Sequence, residues 1–293
     1  MKHRIDPLIE ERAEWLFEPR TEAQLARKVA EHLLSYDKTL HLARQLHGRS
    51  SDQIMKIMAS MLARNMEVHG LHNIPSHGPA LIVANHPTGI ADGIFLYQAL
   101  RQVRPDMFFY ANSDILRVLP QMSDIIVPVE WRKHKRSHAK TRMTLQETAV
   151  AMHDGRLGVI FPSGRLAKRR GLRLHERDWM PSAAMIARKF DVPVIPVRIE
   201  ARNSALFYLF DLIHPSLRDI TLFHETLNKD RQPYRVCIGA PIEGRSLPAQ
   251  SQLATEALRR QTLELGSRTK PSVSLVRTTG SFNFTRKFFA SNA

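Results

Sequence analysis

Ala80-Leu-Ile-Val-Ala-Asn-His-Pro-Thr-Gly-Ile-Ala-Asp-Gly93 is an apolar, strand-like run that ends in Asn85-His86 and reaches a carboxylate at Asp92. A strand that delivers a base and its orienting acid to one edge of a sheet is the start of a catalytic site. Neutral histidine can take a proton from a hydroxyl near neutral pH. A carboxylate on its other ring nitrogen fixes the tautomer and stabilises the imidazolium. Pro87 keeps the backbone extended after His86, and Thr88 and Gly89 allow a tight turn. The spacing then predicts Asp92 in the first turn of a helix running through Ile94, Phe95, Tyr97 and Leu100. A buried histidine near a helix-capping aspartate is the structural alternative.

Outward from this stretch the pattern is one of short strands alternating with helices. Met66 to His69, Ala80 to Ala84, Met107 to Tyr110, Ile125 to Val129, Leu157 to Phe161, Val194 to Ile199 and Tyr234 to Ile238 read as strands. Thr141 to His153 and Ser182 to Phe190 read as helices between them. This alternation predicts a single α/β domain with a central, mostly parallel or mixed sheet flanked by helices. A last helix is expected from about Pro248 to Leu265, capped by Ser246. Residues 1–65 are expected to form a helical segment preceding the catalytic unit at 66–265, with a basic, weakly ordered tail at 266–293. In the first segment, Leu25, Ala26, Val29, Ala30, Leu33 and Leu34 recur at helical spacing, as do Ile54, Ile57, Met58, Met61 and Leu62. Such stripes usually pack in a core; a lipid-facing helix is the alternative, since Arg27, Lys28 and Lys56 can face anionic headgroups.

The 293 residues carry 43 Lys plus Arg against 28 Asp plus Glu, a formal charge of +15. An anionic partner follows, and both nucleic acid and anionic lipid qualify. Cys237 is the sole cysteine, so no intrachain disulfide can form and a reducing compartment fits best. No apolar run approaches the length of a bilayer span, which makes any membrane contact peripheral, with the cytoplasmic face of the inner membrane expected. Phe282, Phe284, Phe288 and Phe289 among the basic residues of the tail suit an interface.

Gly158-Val-Ile-Phe-Pro-Ser-Gly-Arg165 is a second apolar run that ends in a glycine-containing turn with a cation. Turn amides and a guanidinium together suit a phosphate or carboxylate. A strand-to-loop turn with a solvated arginine is the structural alternative.

The string Asn-His-Pro-x-Gly-x-x-Asp-Gly at 85–93 resembles the first block of the PlsC-like glycerolipid and lysophospholipid acyltransferase family. The likeness is greatest to its hemolysin-like branch, which includes ornithine-lipid acyltransferases. Phe161-Pro162-Ser163-Gly164-Arg165 resembles the third block, Val192-Pro193-Val194-Ile195-Pro196-Val197 the fourth, and Ala201 to Tyr208 the sequence that follows it in that branch. Ile125 to Arg132 is similar to a second block. The resemblance implies an O-acyltransferase with His86 as general base and Asp92 as its orienter. It places Asn85, Arg132, Ser163, Gly164 and Arg165 among the substrate-binding residues. It also implies a fatty acyl donor, acyl-ACP (on acyl carrier protein) or acyl-CoA (on coenzyme A), with no further cofactor and no metal. The hydroxyl of a membrane lysolipid is the acceptor, with an anionic membrane surface as partner. Two departures matter: five residues lie between His86 and Asp92 rather than the usual four, as in the hemolysin-like branch, and Ser163 replaces the common third-block glutamate.

These departures favour a lyso-ornithine lipid or similar acyl-amino acid as acceptor, with 1-acylglycerol-3-phosphate as the alternative. A basic nucleic-acid-binding protein is the rival from another class, but no nucleic-acid motif accompanies the charge. A non-catalytic lipid-binding relative is disfavoured by His86 and Asp92 together. The pair His134 and His138 has the spacing of a helical zinc site, but the cations around it oppose metal. Ser163 is not in a Gly-x-Ser-x-Gly elbow, and no dinucleotide or Walker fingerprint occurs. Ala205 to Phe210 with Leu212 and Ile213 is expected in the core, an acyl channel or lipid contact being the alternatives.

Overall fold

A computed structural model describes residues 1–63, 65–130, 137–229, 232, 234–266 and 272–275. Helices α1 (Lys2–Glu10), α2 (Thr21–Leu33), α3 (Tyr36–Leu46) and α4 (Ser51–Leu62) come first. They are followed by β1 (Met66–His69), β2 (Ala80–Ala84), α5 (Ile90–Leu100), β3 (Met107–Asn112), α6 (Asp114–Val118), β4 (Ile126–Val129), α7 (His138–His153) and β5 (Leu157–Ile160). A hairpin of β6 (Lys168–Arg170) and β7 (Arg173–His175) leads to α8 (Ser182–Phe190), β8 (Val194–Glu200), α9 (Ala205–Ile213) and α10 (Pro215–Glu225). The described elements end with β9 (Tyr234–Ile238), α11 (Ser251–Glu264) and β10 (Val273–Ser274).

Seven strands form one sheet in the order β1-β9-β8-β2-β5-β3-β4. Neighbours pair in parallel except β8 and β9, so the sheet is mixed, as expected. α5 connects β2 to β3, α6 connects β3 to β4 and α7 connects β4 to β5, the crossovers that parallel strands require. β2 lies between β5 and β8, and all five of its residues are buried. Ala80, Ile82 and Ala84 enter one core, packed with α1, α3, α4 and α5; Leu81 and Val83 enter the other, packed with α8 and α11. Both faces being covered, the strand reads as a continuous apolar run. At Gly158 of β5 a Cβ would lie 2.9 Å from the Phe108 ring and 3.1 Å from Leu81, so no larger residue fits.

The N-terminal helices share this core. Ile5, Leu8, Leu40, Leu46, Ile54, Met58 and Leu62 are buried in the same cluster as Ile82 and Phe95. The stripe on α4 is therefore core, and its helix begins with a capping box in which Ser50 and Gln53 bond each other's backbone. On α2 the stripe divides: Ala30 is buried, whereas Leu25 and Val29 are exposed.

Two expectations are corrected. α11 begins at Ser251, not Pro248, because Arg188 draws the Pro248 carbonyl at 2.7 Å and keeps the chain non-helical there. Residues 205–213 are core on one side only: Phe207 is buried and Leu206 and Phe210 pack against Leu16, Ala30 and Ile220, but Leu209, Leu212 and Ile213 are exposed. Beyond Arg165, β6, β7 and β10 form a small antiparallel sheet in which Val273 pairs with Leu174. The phenylalanines expected at an interface in the tail lie outside the described residues.

Candidate active site

β2 and β5 run parallel with Val83 beside Ile160, so their following loops emerge together at the carboxyl edge of the sheet. Ligands of open α/β sheets bind at this edge. The loop after β2 carries His86, and the loop after β5 carries Phe161 to Arg165. They are joined: Ala167 N–H donates to the His86 carbonyl at 2.9 Å, and the Phe161 ring stacks on the imidazole at 4.2 Å.

His86 Nδ1 lies 2.9 Å from Asp92 Oδ2. The turn that brings them together is local. Gly89 has φ +97°, a left-handed backbone, and a Cβ there would meet Leu166 and Leu222 at 3.3 and 3.4 Å. Asp92, the third residue of α5, accepts from the backbone N–H of Thr88 at 2.9 Å and of Gly89 at 3.0 Å. It also accepts the Thr88 hydroxyl at 2.6 Å and the Tyr234 hydroxyl at 3.2 Å. Asp92 is fully buried, while the His86 side chain is 19% exposed. With Nδ1–H donating to the carboxylate, Nε2 is the nitrogen left to take a proton.

Other expected site residues fall differently. Asn85 does not face a cleft: its amide clamps both backbone groups of Ile199 on β8, at 2.9 and 2.7 Å, and it is 2% exposed. Ser163 is likewise buried, and its hydroxyl donates to the Arg165 carbonyl at 2.8 Å, which tightens the turn. Gly164 has φ +59°, which the turn requires. Arg165 is exposed on the same loop as Phe161. Arg132, with the rest of the basic stretch to Arg136, lies outside the described residues, as does His134. His138 is exposed at the start of α7.

Three contributors were not legible in the local sequence. Tyr234 of β9, two strands from β2 in the sheet and stacked on Phe95 of α5, bonds Thr88 and Asp92; burial raises its hydroxyl well above the ordinary tyrosine range. Glu176 accepts the backbone N–H of His86 at 3.1 Å and the Trp179 indole N–H at 3.0 Å. The third is a buried ion pair, Lys229 with Glu225 at 2.5 Å, which also holds the Ser204 backbone N–H at the start of α9. Burial pushes the Lys229 ammonium down; at Glu225 burial acts to raise the carboxyl, but Lys229 and the Ser204 donors together hold it low. The only signal for this pair was the i,i+4 spacing of opposite charges.

Residues 65–200 match the family model described as Acyltransferase. The chain is 23% identical over 217 residues to a lyso-glycine lipid O-acyltransferase of Phocaeicola vulgatus, covering 72% of this chain and 76% of that protein. A lyso-glycine lipid O-acyltransferase of Bacteroides thetaiotaomicron is 26% identical over 147 residues, 50% of this chain and 52% of that one. Among solved structures, the 1-acyl-sn-glycerophosphate acyltransferase PlsC of Thermotoga maritima aligns with TM-score 0.46 and 15% identity, covering 72% of this chain and 78% of that one. Among the described residues no helix is long and apolar enough to cross a membrane.

Proposed function

We propose that this chain, whose residues 65–200 match the Acyltransferase family model, is a PlsC-like acyltransferase that esterifies a hydroxyl of a lyso-amino-acid lipid with a fatty acyl group. His86 is the general base. Its Nε2 takes the acceptor's hydroxyl proton as the oxygen bonds to the thioester carbonyl carbon. The tetrahedral intermediate then expels the thiol as the C–S bond breaks, and the proton passes from His86 to sulfur. No acyl-enzyme is required. The donor is acyl-ACP or acyl-CoA, and no cofactor takes part. The observation that carries this reading is the His86–Asp92 bond, which orients the ring and leaves Nε2 as the basic atom.

An acyl-amino acid with a hydroxyl on its fatty chain is the preferred acceptor class, lyso-ornithine lipid being one example. The names of the two relatives support an amino-acid lipid over lysophosphatidate. Arg165 pairs with a carboxylate as readily as with a phosphate, so it supplies no preference by itself. The +15 charge and the exposed apolar side chains of α9 support docking on the anionic cytoplasmic face of a membrane.

Competition between lyso-glycine lipid, lyso-ornithine lipid and lysophosphatidate in one thioester-release assay, with acyl-ACP and acyl-CoA donors in parallel, tests the reading. The amino-acid lipids are expected to win. His86→Ala should lower turnover by roughly a hundred- to ten-thousandfold. Preference for lysophosphatidate, lost in Arg165→Ala, would transfer the protein to glycerophospholipid synthesis.

A further inference from the structure

Glu176 is buried, lies outside the blocks that carry the resemblance, and nevertheless touches the base. We propose that Glu176 is a second carboxylate of the His86 site, a positioning residue that fixes the His86 backbone and stabilises the imidazolium, standing where Ser163 supplies no acid. The inference rests on the acyl-transfer reading, with His86 as base.

The geometry has three parts. The Oε2 atom accepts the His86 backbone N–H at 3.1 Å, so His86 is held by a carboxylate at each end: Asp92 on the ring and Glu176 on the main chain. The Oε1 atom accepts the Trp179 indole N–H at 3.0 Å, and Ser163, whose hydroxyl donates to the Arg165 carbonyl, lies beside this carboxyl. Ser163 occupies the third-block position at which the resembled family carries glutamate, so the acid comes from residue 176 to the neighbourhood of residue 163. Arg259 of α11 spends its guanidinium on the main-chain carbonyls of Glu176 and Arg177, at 3.0 and 3.2 Å, and Arg177 turns to the Leu166 carbonyl at 2.8 Å.

The coupling has a definite sign. Burial pushes the Glu176 carboxyl up, and its donors together with positive charge on His86 pull it partly back. The influence is mutual, so an ionised Glu176 favours the protonated ring. When His86 takes the acceptor's proton, Glu176 neither gains nor loses one; it lowers the energy of the charge that forms.

The test uses the full chain with a thioester donor and an amino-acid lysolipid. In Glu176→Gln the melting temperature is expected to stay within a few degrees of wild type, kcat to fall on the order of ten- to a hundredfold, and KM to change little. The acid limb of the pH–kcat/KM profile should move to lower pH. Independently of turnover, the His86 Cε1–H resonance should titrate at lower pH in Glu176→Gln than in wild type. Restoring a carboxylate in Ser163→Glu/Glu176→Ala should recover part of the rate lost in Glu176→Ala. A folded Glu176→Gln protein with wild-type kcat and an unmoved His86 titration overturns the inference. If turnover proves indifferent to His86→Ala, the base assignment fails instead, and the resonance still decides the coupling. Should Glu176→Gln not fold, Trp179→Phe removes one donor from the same carboxyl. A smaller shift of the His86 titration in the same direction supports the inference, and no shift overturns it.

Discussion

Asp92 closes the first turn of α5 through Thr88 and Gly89 N–H and holds His86 through the same Oδ2 atom. This much was legible, because base, turn and acid lie within seven consecutive residues, 86–92. Tyr234 and Glu176 were not, since they reach the loop only after distant segments have packed. Asn85 misled for a related reason: its type and place suit a ligand, but β8 claims its amide. Glu176 makes stability depend on pH. Burial raises its folded-state pKa above the ordinary 4.5, so the contribution is complete below that value and is lost as pH rises through the raised one. Calorimetry across pH 4 to 8 should therefore show wild type losing melting temperature relative to Glu176→Gln as pH rises. Parallel curves would contradict the assignment.

Between helices, the apolar segment 205–213 shows what composition leaves open. Its richness in Leu and Phe predicts burial, but only one side is covered: Phe207 is buried, Leu206 and Phe210 are half-buried against Leu16, Ala30 and Ile220, and α10 and the Glu225–Lys229 pair anchor the helix. Leu209, Leu212 and Ile213 are left at 52%, 67% and 61% exposure. Against a +15 molecule, an anionic bilayer matches both the charge and the apolar face. Burying a leucine is worth about 1.5–3 kcal/mol in full. Leu212→Glu/Ile213→Glu is thus expected to weaken partitioning onto phosphatidylglycerol vesicles by about tenfold or more. Thermal stability should stay unchanged, since neither side chain packs in a core. Equal sedimentation of variant and wild type would remove α9 from the contact.

At the scale of the whole molecule, all seven strands of the large sheet were readable to within two residues, because covered strands announce themselves as short apolar runs. The reversal of β9 against β8 was not, as strand direction is set by how the chain returns and leaves no mark in the strand itself. The role of the first helices was only half legible: helical periodicity predicts the elements and says nothing of their partner. Since Ile5, Leu8, Leu40 and Leu46 share the core with β2, deleting residues 1–49 should strip the sheet of one cover and leave an aggregating product; a monomeric, cooperatively melting truncation would refute this. The central place of β2 has a further consequence in time. Its amides are bonded between two neighbours and covered on both faces, so Ile82 to Ala84 should be among the last to exchange with deuterium, after the edge strands β1 and β4 have opened. On that expectation His86 hangs from one of the slowest-breathing strands, and the edges are expected to open and close many times while the strand that carries the base stays closed.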